Sequence, residues 1–373
     1  MTTPTPKPGI MDISPYVGGD ASVEGVAKII KLSSNEGATG PSPKAVAAFQ
    51  AAGASLHRYP DGGANDLRAG LAEMYGLDIN RLICGNGSDE IIGHLIQAYA
   101  GPGDEVLYSE HGFLMYPLGA MANGATPVTA RETDYTASVD AYLAAVTERT
   151  TIVFIANPNN PTGTYLPHSE LQRLRVGLPD DVLLVIDSAY AEFVSRNDYA
   201  PGIEMVSAHD NVVMTRTFSK IYGLAALRLG WAYCPAEVAQ VFHRVRGPFN
   251  VNAAAQAAGL AALRDVKHTD EARAHNDRWL PWLQGECDRL GLSYIPSVGN
   301  FLTVQFDGNS VVGGARDAAA ALEFLRTKGI LPRAIGGYGL GDFLRFTIGL
   351  EDENRAVVNA LEEFLSTAND AQD

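Results

Sequence analysis

Val182-Leu-Leu-Val-Ile-Asp187 is a short apolar run that ends on an acid. A run of branched aliphatics this short reads as a strand covered on both faces, the habit of parallel strands in α/β proteins. Such a strand delivers Asp187 at its carboxyl end, and ligands of open α/β sheets gather at that edge. An acid that merely caps the next turn fits this segment alone equally well. Outward from it, apolar runs recur at 106–108, 151–156, 212–214 and 229–234, separated by helix-length segments such as 138–146 and 169–176. That alternation, from about residue 45 to 266, argues for a mostly parallel sheet with helices on both faces. From His268 the pattern changes to a long helical stretch, then strands near 292–295, 301–306 and 343–348 and helices near 315–328 and 353–366. The chain divides on this reading into an amino-terminal arm and segment (1–44), a large α/β unit (45–266) and a small α+β unit (267–373). There is no internal repeat.

Thr217-Phe-Ser219-Lys220, followed by Gly223 and then Leu227-Arg228-Leu-Gly230, sets one lysine among small hydroxyl residues with an arginine close behind. A lysine amine attacks a carbonyl carbon only when unprotonated. A Schiff-base lysine therefore needs burial or neighbouring positive charge to bring its pKa below about 10.4. Arg228 offers part of that field. Thr217, Ser219 and Arg228 also suit a phosphate monoester, the hydroxyls as short donors and the guanidinium as a planar fork. Taken alone, the segment reads as a solvated polar loop.

Asp187 gains a purpose beside a cationic ring nitrogen, because a carboxylate next to a pyridinium keeps it protonated and makes the ring an electron sink. Tyr190, three residues on, is placed to donate to a phenolic oxygen of the same ring. The run 151–156 leads into Asn157-Pro-Asn-Asn160-Pro-Thr-Gly163, a turn at the same sheet edge that puts Asn160 on the other side of that oxygen. Leu82-Ile-Cys-Gly85-Asn-Gly87-Ser88-Asp-Glu90 reads as strand, glycine turn and helix start, a phosphate cradle with Ser88 at the cap. It is not a dinucleotide fingerprint, since the third glycine of G-x-G-x-x-G falls on Glu90, and no glycine precedes Lys-Ser/Thr as a P-loop requires.

Six segments stand in the order and spacing of fold-type I pyridoxal phosphate-dependent aminotransferases: Leu32-Ser-Ser-Asn35-Glu36, Arg58-Tyr59-Pro-Asp61, Gly85-Asn-Gly-Ser-Asp-Glu90, Asn159-Asn-Pro-Thr-Gly163, Thr217-Phe-Ser-Lys-Ile-Tyr-Gly223 and Leu344-Arg345-Phe-Thr-Ile-Gly349. Over about residues 32–365 the chain resembles the histidinol-phosphate aminotransferase branch of class I/II. The resemblance implies pyridoxal 5'-phosphate bound through Lys220, with Asp187 on the pyridine nitrogen and Asn160 and Tyr190 on the phenolic oxygen. It implies a phosphate cup of Gly87, Ser88, Ser219 and Arg228, with Tyr59 reaching the phosphate of a neighbouring subunit in a homodimer with shared sites. Phe113 falls where the family sets an aromatic ring against the cofactor face. Arg345, Arg333, Tyr16 and Asn35 match substrate contacts. Two departures are Ala225-Ala226, where relatives carry glycine at the second position, and the glycine-rich Ile335-Gly-Gly-Tyr-Gly-Leu-Gly341, read as a turn-rich link.

The reaction implied is a ping-pong transamination of L-histidinol phosphate with 2-oxoglutarate. An aromatic amino-acid aminotransferase and a phosphothreonine-type decarboxylase remain open alternatives on the same lysine and aspartate. A transcription regulator built on this fold needs a basic DNA-binding surface, and 28 Lys+Arg against 43 Asp+Glu, a formal charge of −15, argue against one and against nucleic-acid partners generally. Partners are therefore expected to be a small amino donor and a 2-oxo acid. Three scattered cysteines suit a reducing cytoplasm, and Cys84 and Cys234 lie in apolar runs as packing residues. No apolar stretch is long enough to span a bilayer, the amino end lacks a signal-peptide pattern, and the histidines show no metal-binding spacing.

Overall fold

A computed structural model describes residues 4–15, 18–19, 22–23, 28–306 and 317–366. The large sheet has seven strands: β1 (Leu82–Gly85), β2 (Glu105–Ser109), β3 (Thr126–Ala130), β4 (Thr150–Ala156), β5 (Leu183–Asp187), β6 (Val212–Thr217) and β7 (Gly230–Tyr233). Their spatial order is β1-β7-β6-β5-β4-β2-β3, parallel except for β7, which runs antiparallel to both β1 and β6. The apolar run that begins the reading is the central strand β5, every residue of it buried. Two apolar layers sandwich the sheet. One holds Leu184, Ile186, Met214 and Trp231, the other Val185, Val213, Ile83 and Phe154, so alternate residues of one strand serve opposite faces.

Polar residues set several helix starts. Ser42, Ser138, Asn252 and Asp317 each accept a backbone N–H of the first turn beginning at Pro43, Val139, Ala253 and Ala318. The helix Gly87–Tyr99 starts otherwise than expected. Its N-cap is Asn86 rather than Ser88, and the Asn86 N–H donates back to Glu90 Oε2 at 2.7 Å, leaving the Ser88 side chain to face the sheet edge.

Beyond the long helix Val266–Leu290, a second sheet of order β8-β9-β11-β10 is antiparallel throughout: β8 (Tyr294–Ile295), β9 (Phe301–Gln305), β10 (Arg333–Ile335) and β11 (Leu340–Thr347). It shares a core with the long helix and the helices Ala318–Thr327 and Glu351–Ser366. Ile30–Lys31 pairs in parallel with Ile330–Leu331, and Ile30 and Leu32 are buried in that core. The glycine-rich segment between β10 and β11 is a tight hairpin link, a 3-10 turn over Gly336–Tyr338 followed by Gly339 at φ 79°. None of the described helices is long and apolar enough to cross a membrane.

Candidate active site

The carboxyl ends of β4, β5 and β6 meet the start of the helix Gly87–Tyr99 around a cavity of about 240 Å³. In register, Ala156 pairs with Asp187 and Asp187 with Thr215, so the acid stands between two parallel neighbours where the sheet stops. Asp187 is buried at the cavity wall. Tyr116 donates to its Oδ2 at 2.8 Å and Thr215 Oγ1 to its Oδ1 at 3.2 Å. Burial pushes its pKa up to about 6, and the Tyr116 hydrogen bond opposes that rise.

Lys220 lies beyond β6, its Nζ donating to the Ser34 carbonyl at 3.1 Å and standing 5.6 Å from the Tyr190 ring centre. Its pKa falls to about 8, chiefly because burial disfavours the ammonium and next because Arg345 is nearby. Arg228 adds to the effect but is not the main source of positive field, while Asp89 and Glu36 act in the opposite sense.

At one end of the cavity Ser88, Thr217, Ser219 and Arg228 come together. Thr217 Oγ1 and Ser219 Oγ are 2.9 Å apart, and Arg228 Nη1 reaches Ser219 Oγ at 3.3 Å while Nη2 pairs with Asp89 at 2.9 Å. Glycine is required here. Gly87 has φ +79° and a methyl on it would come within 2.5 Å of Arg228 Nη2, while a methyl on Gly230 would run into the Ser88 backbone nitrogen. Ala226 sits exposed in the 3-10 turn Ala225–Leu227, just before Arg228.

Phe113 and Asn160 line the same cavity, and Asn160 Oδ1 accepts from Arg345 Nη1. Tyr190 lines it too, its hydroxyl accepting from Asn35 Nδ2 at 2.9 Å. Other expected residues lie outside the lining. Asn35 is buried behind Tyr190, so among its side-chain contacts the one directed at the site passes through that hydroxyl. Arg345 is buried on β11, donating to the Ser33 carbonyl at 2.8 Å beneath Asn160, with Arg333 paired opposite it on β10. Tyr59 is 82% exposed on the surface and stacks on Phe249 at 4.7 Å. Tyr16 lies outside the described residues.

Sequence reasoning missed Tyr116, Thr215, Ser34, Glu36 and Asp89. Thr215 had a signal, since side chains two apart on a strand share a face and Thr217 was already placed there. Tyr116 had only its position one helical turn after Phe113.

An amine of lowered pKa, a buried acid and an oxyanion-binding end arranged around one cavity fit an aromatic aldehyde phosphate with a basic ring nitrogen. Pyridoxal phosphate has those three features. The acid would meet the ring nitrogen, the amine the aldehyde, and the Ser88/Ser219/Arg228 end the phosphate. Among the described residues no group of three or more His, Cys, Asp or Glu is placed to hold a metal. Burial pushes the thiols of Cys84, Cys234 and Cys287 up to about 12, which makes them packing groups rather than nucleophiles.

Residues 27–361 match the family Aminotransferase class I and II. The chain is 63% identical over 365 residues to a histidinol-phosphate aminotransferase of Paramagnetospirillum magneticum, spanning 98% of this chain and 99% of the relative. It is 56% identical over the same shares to one of Rhodospirillum centenum. The fold superimposes on the histidinol-phosphate aminotransferase of Sinorhizobium meliloti in complex with pyridoxal-5'-phosphate, with a TM-score of 0.82 at 28% identity over 91% of this chain and 92% of that one. Aspartate aminotransferase of Thermus thermophilus shares the fold at a TM-score of 0.79 and 22% identity, over 90% and 92% of the two chains.

Proposed function

Because the chain belongs to the class I and II aminotransferases and is a pyridoxal phosphate-dependent enzyme, we propose that it transfers the amino group of L-histidinol phosphate to 2-oxoglutarate. The products are imidazole acetol phosphate and L-glutamate, and the setting is histidine biosynthesis. The observation that carries the donor is the similarity to histidinol-phosphate aminotransferases over nearly the whole chain. The residues of the cavity come from six separate stretches between Ser34 and Arg228, and similarity confined to one motif would not extend to all of them.

Bound pyridoxal phosphate supplies an aldehyde that condenses with amines and a ring that takes up the electron pair released when the donor carbon loses its proton. The chain supplies the rest. Lys220 Nζ would hold the aldehyde carbon, and as a free amine it would take the proton from the donor carbon and return it, as base and then acid. Its lowered pKa puts both protonation states within reach near neutrality. Asp187 holds the ring nitrogen protonated. Asn160 and Tyr190 hold the phenolic oxygen, Phe113 covers a ring face, and Gly87, Ser88, Thr217, Ser219 and Arg228 hold the phosphate. Arg345, helped by Arg333 and Tyr16, takes the substrate anion, and Asn35 fixes Tyr190. An always-charged, multi-donor guanidinium suits a site that accepts a phosphate in one half-reaction and a carboxylate in the other.

We read the working unit as a cytoplasmic homodimer, with 45–266 carrying the cofactor, the segment within 1–44 packing with the small unit 267–373, and Tyr59 completing the partner's phosphate cup. The donor is tested by presenting histidinol phosphate, phenylalanine and tyrosine one at a time to the holoenzyme and following the shift of the cofactor's visible band to its amine form. Fastest conversion by histidinol phosphate, reversed by 2-oxoglutarate, is expected. Faster conversion by phenylalanine or tyrosine makes it an aromatic aminotransferase, and release of carbon dioxide makes it a decarboxylase.

A further inference from the structure

Tyr116 lies outside the cavity lining, yet its hydroxyl touches Asp187. The side chain is 1% exposed, its ring stacked on Phe154 with centres 4.5 Å apart and planes 8° from parallel. The ring is fixed, so the direction of its hydroxyl toward Asp187 Oδ2 is fixed with it, at 2.8 Å. Thr215 reaches the other oxygen at 3.2 Å from the neighbouring strand. A carboxylate offers about four lone-pair positions, so these two donors and the Ala189 backbone N–H still leave one for a group in the cavity. Burial and the charge of Asp187 hold the Tyr116 phenol well above its usual range, so it remains a donor across neutral pH.

Two influences on Asp187 oppose each other. Removal from water favours the neutral acid, and donated hydrogen bonds favour the anion. Of the side-chain donors, Tyr116 contributes more than Thr215. The other ionisable groups that face the carboxyl are Asp89 from the helix Gly87–Tyr99, which repels it, the phenols of Tyr190 and Tyr199 from the stretch after β5, and Lys220 across the cavity.

We propose that Tyr116 is a positioning residue: its hydroxyl keeps Asp187 ionised in its buried setting and fixes the rotation of the carboxylate, so that the acid meets the cofactor's ring nitrogen as an oriented anion. The proposal rests on the assignment of Asp187 to that nitrogen. Tyr116→Phe deletes one oxygen and leaves the ring on Phe154.

The first measurement uses the apo-protein, in which infrared titration follows the carbonyl stretch of the protonated buried carboxyl, identified by its loss in Asp187→Asn. In Tyr116→Phe the midpoint of that titration should rise by roughly one pH unit, the tenfold change expected when an ionised group loses one hydrogen bond. Thr215→Val should raise it less. An unchanged midpoint in Tyr116→Phe overturns the proposal, because a purely structural tyrosine would alter stability without moving this group. In the second measurement pyridoxal phosphate is titrated into the apo-protein at a series of pH values. The acid limit of tight binding should move upward in Tyr116→Phe along with the carboxyl midpoint. If Asp187→Asn binds the cofactor with the affinity and pH dependence of the native protein, the proposal falls through its premise, an outcome separate from the carboxyl titration, which tests the Tyr116 link alone.

Discussion

At the scale of single residues, Lys220 shows how placement makes a reagent of an ordinary side chain. With a pKa lowered from 10.5 to about 8, about a tenth of its amines are neutral at pH 7, against about one in three thousand for an unperturbed lysine. Since the pKa is lowered, the neutral amine gains at lower pH, not higher. Capture of an aldehyde by the apo-protein, trapped with borohydride, should therefore rise about tenfold per pH unit up to pH 8 and level off above it. Arg345→Gln removes the second-largest cause of the lowering, so the levelling point should move upward. A native midpoint near 10, or a label on another lysine, would show that the nucleophile lies elsewhere.

At the scale of elements, the phosphate-binding end depends on β7 passing close against the start of the helix Gly87–Tyr99, an approach that only glycine at 230 permits. Gly230→Ala forces strand and helix apart. Overpacking of this kind costs about 1–3 kcal/mol of stability, and cofactor affinity should drop with it because Ser88 is displaced. Gly93 lies in the interior of the same helix with nothing within 4 Å of a methyl placed on it. Gly93→Ala should stabilise the protein by roughly 0.5–1 kcal/mol and leave cofactor affinity unchanged. Thermal unfolding and cofactor titration of the two variants decide the matter. Equal behaviour would mean that close packing at 230 plays no part in forming the cradle.

At the scale of the whole molecule, Tyr59 is a large aromatic 82% exposed, stacked on a Phe249 that is itself 43% exposed, and Leu56 nearby in sequence is 75% exposed. Exposed apolar surface of this kind suits burial by a second copy of the chain. The expected sedimentation mass is about twice the 39.7 kDa of one chain. Mixing inactive Lys220→Ala subunits with Tyr59→Ala subunits should restore part of the activity lost in each, since one hybrid site regains both groups. Absence of any recovery in verified mixed dimers would assign Tyr59 to its own chain or to neither site.

What could be read in the chain was carried by short stretches whose neighbours in sequence are their neighbours in space. The run that became β5 declared its burial by composition. Its last residue had to emerge at the sheet edge, while Gly87 and Ser88 open a helix and Ser219, Lys220 and Arg228 lie in the short link between β6 and β7, each within one stretch of chain. The tertiary structure alone decided the pairings across the sheet. Tyr116 meets Asp187 across 71 residues, Asn35 meets Tyr190 across 155, and Arg345 meets Asn160 across 185. The strand order β1-β7-β6-β5-β4-β2-β3 does not follow the chain, so no local pattern announces which side chains will face one another. The charge states of Lys220 and Asp187 belong to the same class. Burial and Coulomb fields depend on distance in space and on the exclusion of water, and neither exists until the chain has folded.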